Sequence, residues 1–406
     1  MFKTLDECIE WIYEPRFFER RLDLARVEQA LELFGSPIHY PCIHVGGTNG
    51  KGSVVSYLKH ILLEAGYKVG TYISPFVVVF NERITLNHQY ISDADVIRLT
   101  NHIKNILTIH HHPLSNFEIL TIMSFLYFEE QHVDVAVIEV GLGGLLDATN
   151  VINKDIAVIT NIGTDHKDIL GDTKEEIAIQ KLGIVHDALV TSVDLELLPL
   201  FERYTSQRRA SLKRIDPVSN VQHTASGSTF TYQNDTYEIS MRGVHQTQNA
   251  ALAIEAMHYL IHKKQYQVTN DHIRHGLKKA FWPGRLEELT PGILIDGAHN
   301  IEGIQSLVDY LKGVNQPVHL IYASLSKKPY VEMVSMLLPV ANKLTFTSFD
   351  DEGCLNPDLL ATSFSHANPE VVKDYTVYFT PDESMLRVFC GSLYFISEIR
   401  RTFFSK

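Results

Sequence analysis

The stretch "CIHVGGTNGKGSVVSYLKHILLEAG", residues 42 to 66, decides the fold. A short apolar run, Ile43 to Val45, enters a glycine-rich turn. Val54, Leu58, Ile61, Leu62 and Ala65 then recur at helical spacing. Strand, glycine turn and helix are the parts of a phosphate cradle: backbone amides approach the oxygens, and the helix N-terminus favours negative charge. The usual loop has Ser or Thr directly after Gly-Lys and a glycine five places before that Gly. Here Gly50-Lys51 is followed by Gly52, Ser53 comes one place late, and Val45 occupies the earlier glycine position. Lys51 brings a mobile cation, and the hydroxyls of Thr48 and Ser53 suit phosphate or Mg²⁺. A turn with an incidental lysine is the competing reading. The flanking strand and amphipathic helix favour the cradle.

Outward from the loop, apolar runs at Tyr67 to Ile73, Val133 to Val140 and Asp155 to Thr160 read as strands, with helices between them. Ser92 with Asp95, and Thr173 with Glu176, have the spacing of helix-opening capping boxes. Such alternation predicts an α/β fold with a mainly parallel sheet covered by helices. Residues 225 to 241 predict two antiparallel strands around an Asn234-Asp235 turn, and helical periodicity resumes from Gln246 to about His262. "AFWPGRLEELTPG", residues 280 to 292, reads as a hinge. Beyond it "ILID", "HLIYAS", "KLTFTSF" and finally "SLYFISEIRR" continue the strands of a second, Rossmann-like α/β domain. The expected division is 1–284 and 285–406. His110, His111 and His112 read as a solvated helix end, because adjacent side chains on a helix do not converge on a metal.

The chain has 406 residues, 45% hydrophobic and 21% charged, with a net charge of −12. That balance argues against a general electrostatic grip on nucleic acid or an anionic membrane. Four scattered cysteines, no apolar leader and no membrane-length run predict a cytoplasmic protein.

The wording "GTNGKGS" resembles the loop of the Mur-type ATP-dependent amide ligases, and among them the folylpolyglutamate synthase and dihydrofolate synthase family. Further motifs follow in that family's order, from about residue 22 onward. "SPFVVVFNERI" (74–84) resembles a loop that supplies Ser74 to Mg²⁺, with Ser53 as the loop's own metal ligand. "VIEVGLGGLLDATN" (137–150) resembles the strand end that supplies Glu139. "TNIGTDHKDILGDTKEEIAIQKLGI" (160–184) puts His166 on a metal-binding histidine and Lys181 on a lysine that becomes carbamylated and holds a second ion. Read alone, Glu139 would be an ordinary strand-end carboxylate and His166 a buried, hydrogen-bonded histidine. The resemblance places ATP on Thr48, Asn49, Gly50, Lys51, Gly52, Ser53 and Asn249, and on Arg285, Asp296 and His299 of "WPGRLE" and "DGAHN". It assigns catalytic work to Lys51, Lys181 and His166. "SNFEILT" and the "LDATN" stretch point to Phe117, Glu118, Leu146, Asp147 and Ala148 for the folate, although Phe117 would equally suit a plain core position.

The implied reaction joins L-glutamate to a reduced folate, or to dihydropteroate, with ATP and Mg²⁺ through an acyl phosphate. The resemblance implies a monomer whose two domains close on the nucleotide and keep water from that intermediate. Departures from the family pattern are Phe76 for histidine, Leu145 for arginine, Gln180 for glutamate, Ile301 for proline, and "SLSKKPY" (324–330, with Lys328) for a motif with Asp-Lys-Asp. They leave open a Mur-type ligase with another acceptor. A nucleotide-binding regulator without ligase activity is the remaining alternative.

Overall fold

A computed structural model of the chain describes residues 1–15, 24–224 and 227–404. Residues 22–23, where the family resemblance begins, and 225–226, at the head of the antiparallel stretch, lie outside the described residues. The chain forms two compact units, and neither is continuous: Met1–Pro217 with Gln248–Ala280, and Val218–Thr247 with Phe281–Lys406.

Among the described residues the first unit holds an eight-stranded sheet. Its strands are β1 (Cys42–Gly46), β2 (Val69–Tyr72), β3 (Ile84–Leu86), β4 (Gln89–Tyr90), β5 (Val135–Glu139), β6 (Lys154–Ile159), β7 (Ala188–Thr191) and β8 (Ser211–Arg214). The order is β4-β3-β2-β5-β1-β6-β7-β8. All pairs are parallel except β2–β3 and β3–β4. Every residue of β1 and β5 is buried, as helices on both faces require. One core gathers Cys42, Tyr72, Ala136 and Ile138 with Val96, Leu99, Ile119 and Ile122 of the helices Asp93–Ile109 and Asn116–Glu130. Another joins Ala157, Ile159 and Leu189 to Ile177 and Phe201 of the helices Lys174–Leu182 and Leu198–Arg208.

The expected caps are in place. Ser92 accepts from the Asp95 amide, and Thr173 and Glu176 form a reciprocal box. The helix Lys51–Glu64 packs on β1, β2 and β5, and the helix Asn270–Lys279 lies across it. The crossing is close enough that a Cβ on Gly276 would lie 2.4 Å from the Ile61 Cα. His110 terminates the helix Asp93–Ile109.

The second unit carries, among its described residues, a three-stranded antiparallel sheet and a six-stranded sheet. The small sheet comprises β9 (Ser219–Thr224), β10 (Gly227–Tyr232) and β11 (Asp235–Ile239), one strand more than the periodicity predicted. Its hairpin turns one residue earlier than expected, at Gln233-Asn234, with φ of 49° and 72°. The larger sheet contains β12 (Glu287–Thr290), β13 (Ile293–Asp296), β14 (Val318–Tyr322), β15 (Lys343–Phe346), β16 (Glu370–Val371) and β17 (Leu386–Cys390), ordered β12-β13-β17-β14-β15-β16. Only β12–β13 is antiparallel. "SLYFISEIRR" is not the last strand. β17 precedes it, and Leu393–Phe404 is a helix that buries Phe395, Ile396 and Ile399 at helical spacing. Among the described residues no helix is long and apolar enough to cross a membrane.

Candidate active site

The glycine loop leaves the C-terminal end of β1, where ligands gather in parallel sheets. Two of its glycines are obligatory. Gly47 has φ +135° and so little room that a Cβ would lie 1.8 Å from the Thr160 hydroxyl oxygen. Gly50, at φ +84°, would drive a Cβ to 2.5 Å from Asn249 Oδ1, which places Asn249 directly against the loop. The end of β6 pins the loop. The Thr48 and Asn49 amides donate to the Asn161 carbonyl and side-chain oxygens at 3.0 and 2.9 Å. Thr160 donates to the Asn49 carbonyl at 2.6 Å, and the Gly163 amide to the Thr48 hydroxyl at 2.8 Å. Sequence reasoning missed Thr160 and Asn161; their only signal was a polar pair ending an apolar strand. The helix Lys51–Glu64 has no side-chain cap, so its first amides point into the loop without one.

Two lysine side chains converge on one carbonyl here. Lys51 Nζ donates to the Gly47 and Thr48 oxygens, both at 3.2 Å, and Lys181 Nζ donates to the same Gly47 oxygen at 2.9 Å. Burial brings the Lys181 pKa down to about 7. Lys51 adds to the effect, against Asp165 and Asp147. The helix bearing Lys181 is held by the loop that follows β5. The Leu145 amide donates to the Gln180 carbonyl at 2.7 Å, and Asn150 Nδ2 to the Gly183 carbonyl at 3.1 Å. At position 180 the docking group is a backbone carbonyl.

Glu139 ends β5 and pairs in register with Val45 of the loop strand. It is buried, and its Oε2 accepts from the Ser74 amide at 3.3 Å. Ser53 is buried in the first turn of the loop helix. Two serines and a carboxylate are hard oxygen donors, the set that suits Mg²⁺. His166 is exposed, not buried, and sits at φ +55° with its amide on the Asp165 carboxylate. Among the described residues no three of His, Cys, Asp and Glu are grouped as a metal site.

Of the residues expected to face the folate, Phe117 lies against the Glu139 loop. A Cβ on Gly141 would come within 2.3 Å of its ring, and Tyr72 stands 6.0 Å away. Asp147 is buried and caps the turn Ala148–Val151. It accepts from the Leu142 and Thr149 amides at 2.7 and 3.0 Å and from the Thr149 hydroxyl. Burial nevertheless pushes its pKa up. That hydroxyl also meets His44 Nε2 at 2.8 Å, a contact the sequence did not announce. Ala148 is buried and Leu146 is exposed. Glu118 is held by Arg26 at 2.8 to 3.1 Å, and the Ser115 amide donates to it at 2.6 Å.

In the second unit the expected residues gather at the end of β13. Asp296 accepts from the Leu286 and Ala298 amides, both at 2.9 Å. Burial raises its pKa against the neighbouring Arg285. An added Cβ on Gly297 would lie 3.3 Å from Arg285 Nη1, and the His299 ring reaches the Gly297 carbonyl at 2.8 Å.

Residues 45–257 match the Mur ligase middle domain. Over 99% of its length the chain is 36% identical to the dihydrofolate synthase/folylpolyglutamate synthase of Bacillus subtilis, spanning 99% of that protein. The chain belongs to the folylpolyglutamate synthase family. Folylpolyglutamate synthase from Thermotoga maritima has a similar structure, with 31% identity and a TM-score of 0.87 over 99% of this chain and 97% of that one. A complex of a folylpolyglutamate synthase (FPGS) with AMPPCP and folate gives 30% and 0.86 over 98% and 99%.

Two of the chain's departures from the family pattern are absorbed locally. Ile301 opens a helix already capped by Asn300, which accepts from the Gly303 amide at 2.8 Å, so a proline there is dispensable. Phe76 packs edge-on to Phe80 and lies under the Arg83 guanidinium, 5.1 Å from its ring centre.

Proposed function

We propose that the chain is an ATP-dependent, ADP-forming ligase that adds L-glutamate to reduced folates. The observation that carries this reading is the convergence of Lys51 and Lys181 on the Gly47 carbonyl, beside a glycine loop at the sheet's C-terminal edge. The related complex with AMPPCP and folate supports the substrate pair. A carboxylate is a poor electrophile. ATP converts it to an acyl phosphate, and the amine of glutamate displaces phosphate to form the amide. Negative charge accumulates on the transferring phosphoryl group, so prepositioned cations and amides are the main source of rate. The loop amides and Lys51 meet that charge, and Lys181, as its carbamate, would hold a second Mg²⁺. Thr48, Asn49, Gly50, Gly52, Ser53 and Asn249 hold the nucleotide, as do Arg285, Asp296 and His299 of the second unit. Ser53, Ser74 and Glu139 would hold Mg²⁺, which neutralises phosphate oxygens when bound, with His166 as a further ligand. Phe117, Leu146, Asp147 and Ala148 face the pterin side. Glu118 faces it as well, held in place by Arg26.

Carbamylation of Lys181 fits its environment, because the reaction with CO₂ needs a neutral amine. A pKa of about 7 leaves about half the amine neutral near that pH. A carbon-13 carbamate signal under labelled bicarbonate, absent in Lys181→Arg, tests it. The enzyme is further taken to act as a monomer in the cytoplasm, to be checked by light scattering and cell fractionation.

Phosphate release from MgATP and L-glutamate, with tetrahydrofolate, dihydropteroate or no acceptor, tests the main reading. Gain of one glutamate on tetrahydrofolate is the expected product by mass spectrometry. Turnover with dihydropteroate would add the dihydrofolate synthase step. Failure of both pterins to stimulate turnover overturns the assignment.

A further inference from the structure

Arg83 has no part in the machinery above, and its surroundings do not explain it. It is only 9% exposed. A charged group buried to that degree is ordinarily paired, because an unpaired one loses hydration without replacement. Its neighbours are aromatic instead. Nη2 donates to the Tyr13 hydroxyl at 3.0 Å, and the guanidinium lies over Phe76. Phe80 packs edge-on to both Phe76 and Tyr13. The buried Nε finds no acceptor among the described residues. Glu82, next in sequence, is fully engaged: its carboxylate accepts from the amides of Val77, Val78 and Val79 at 2.8, 3.0 and 3.3 Å. Among the described residues Arg83 forms no ion pair.

Its position ties it to the reaction. The Arg83 carbonyl accepts from the Ile73 amide at 2.9 Å, one residue before Ser74, whose own amide is on Glu139. The guanidinium charge acts on the Tyr72 hydroxyl, and the Tyr72 ring faces Phe117. An arginine fork with a free Nε is matched to a carboxylate, which it can take through two parallel hydrogen bonds. We propose that Arg83 binds a carboxylate of a glutamyl substrate, with Tyr13 and Phe76 fixing the plane of its fork. This rests on the folate-ligase reading. There the folate's terminal glutamate keeps one carboxylate while the other is activated, and the incoming L-glutamate brings two more.

Steady-state kinetics with tetrahydrofolate, its α-carboxamide and L-glutamate separate the two sources, using the full-length wild type, Arg83→Met and Arg83→Lys. If the folate supplies the carboxylate, Arg83→Met raises KM for tetrahydrofolate by about tenfold or more and leaves KM for ATP unchanged. The wild type's preference for the acid over the amide then collapses. If L-glutamate supplies it, the rise falls on KM for glutamate instead. Arg83→Lys keeps the charge without the fork and should lie between. Thermal unfolding adds a readout independent of turnover. Tm of the ligand-free variant reports only the lost Tyr13 and Phe76 contacts, while the Tm gain on adding the bound substrate shrinks. Unchanged KM values, or an equal Tm loss with and without substrate, would overturn the proposal. A wild type inactive on folate would instead overturn the activity it rests on.

Discussion

Lys181 is the residue whose charge the fold resists most visibly, and stability should report it. The residue is 4% exposed and shares the Gly47 carbonyl with Lys51. Its pKa falls from 10.5 to about 7. At about 1.36 kcal/mol per pH unit, that distance corresponds to roughly 5 kcal/mol of resistance to protonation, an upper bound. Between these two values the folded amine is neutral while the unfolded one holds a proton. Folding therefore releases a proton, and stability rises with pH across the window. Lys181→Met removes this contribution and nothing else that titrates there. Urea unfolding of both proteins in CO₂-free buffer at pH 6.5, 7.5 and 8.5 supplies the comparison. The wild-type stability minus that of the variant should climb by about 1 kcal/mol per pH unit above pH 7. Bicarbonate should increase the wild-type value alone, by trapping the neutral amine. Parallel profiles for the two proteins would falsify the claim that Lys181 is neutral in the fold.

Glu139→Gln keeps the Ser74 contact but removes the charge beside the loop; kcat should fall by about a hundredfold or more, with the Mg²⁺ requirement shifted to higher concentration. Thr149 has one proton, given to Asp147, so His44 must donate through Nε2, and its Nδ1, buried without a partner, is left bare. Thr149→Val should therefore cost about 1–3 kcal/mol and raise KM for folate, whereas Thr149→Ser stays within about 1 kcal/mol, as urea titration and kinetics will show. Gly276→Ala gains about 1 kcal/mol of helix propensity yet forces two backbones apart; a net loss of about 1–3 kcal/mol by denaturation is expected, and a stabilised variant refutes the close crossing.

The first unit was legible wherever local pattern and packing agree. β1, the glycine loop and its helix, and the caps at Ser92 and Thr173 all follow from short-range spacing. The hairpin slipped by one residue because Gln233, rather than Asp235, takes the left-handed conformation. "SLYFISEIRR" is rich in strand formers, yet burial of Phe395, Ile396 and Ile399 on one face makes it helical. What stayed hidden in the site is tertiary. Asn161 holds a loop 112 residues earlier, and Glu118 is claimed by Arg26 across 92 residues. Arg83 is noticeable only because it forms no ion pair among the described residues. No window of sequence contains such facts.

The interleaving of the two units has a consequence for biogenesis. The helix that crosses the nucleotide loop's own helix ends at Lys279, and Asn249 abuts Gly50, so the first unit lacks its closing pieces until some 280 residues have been synthesised. By then Val218–Thr247 has emerged and must wait for partners encoded after Phe281. Ribosome-bound chains cannot complete one unit before beginning the next, as contiguous domains do. Nascent chains halted before Gln248 should leave the nucleotide loop unable to retain ATP.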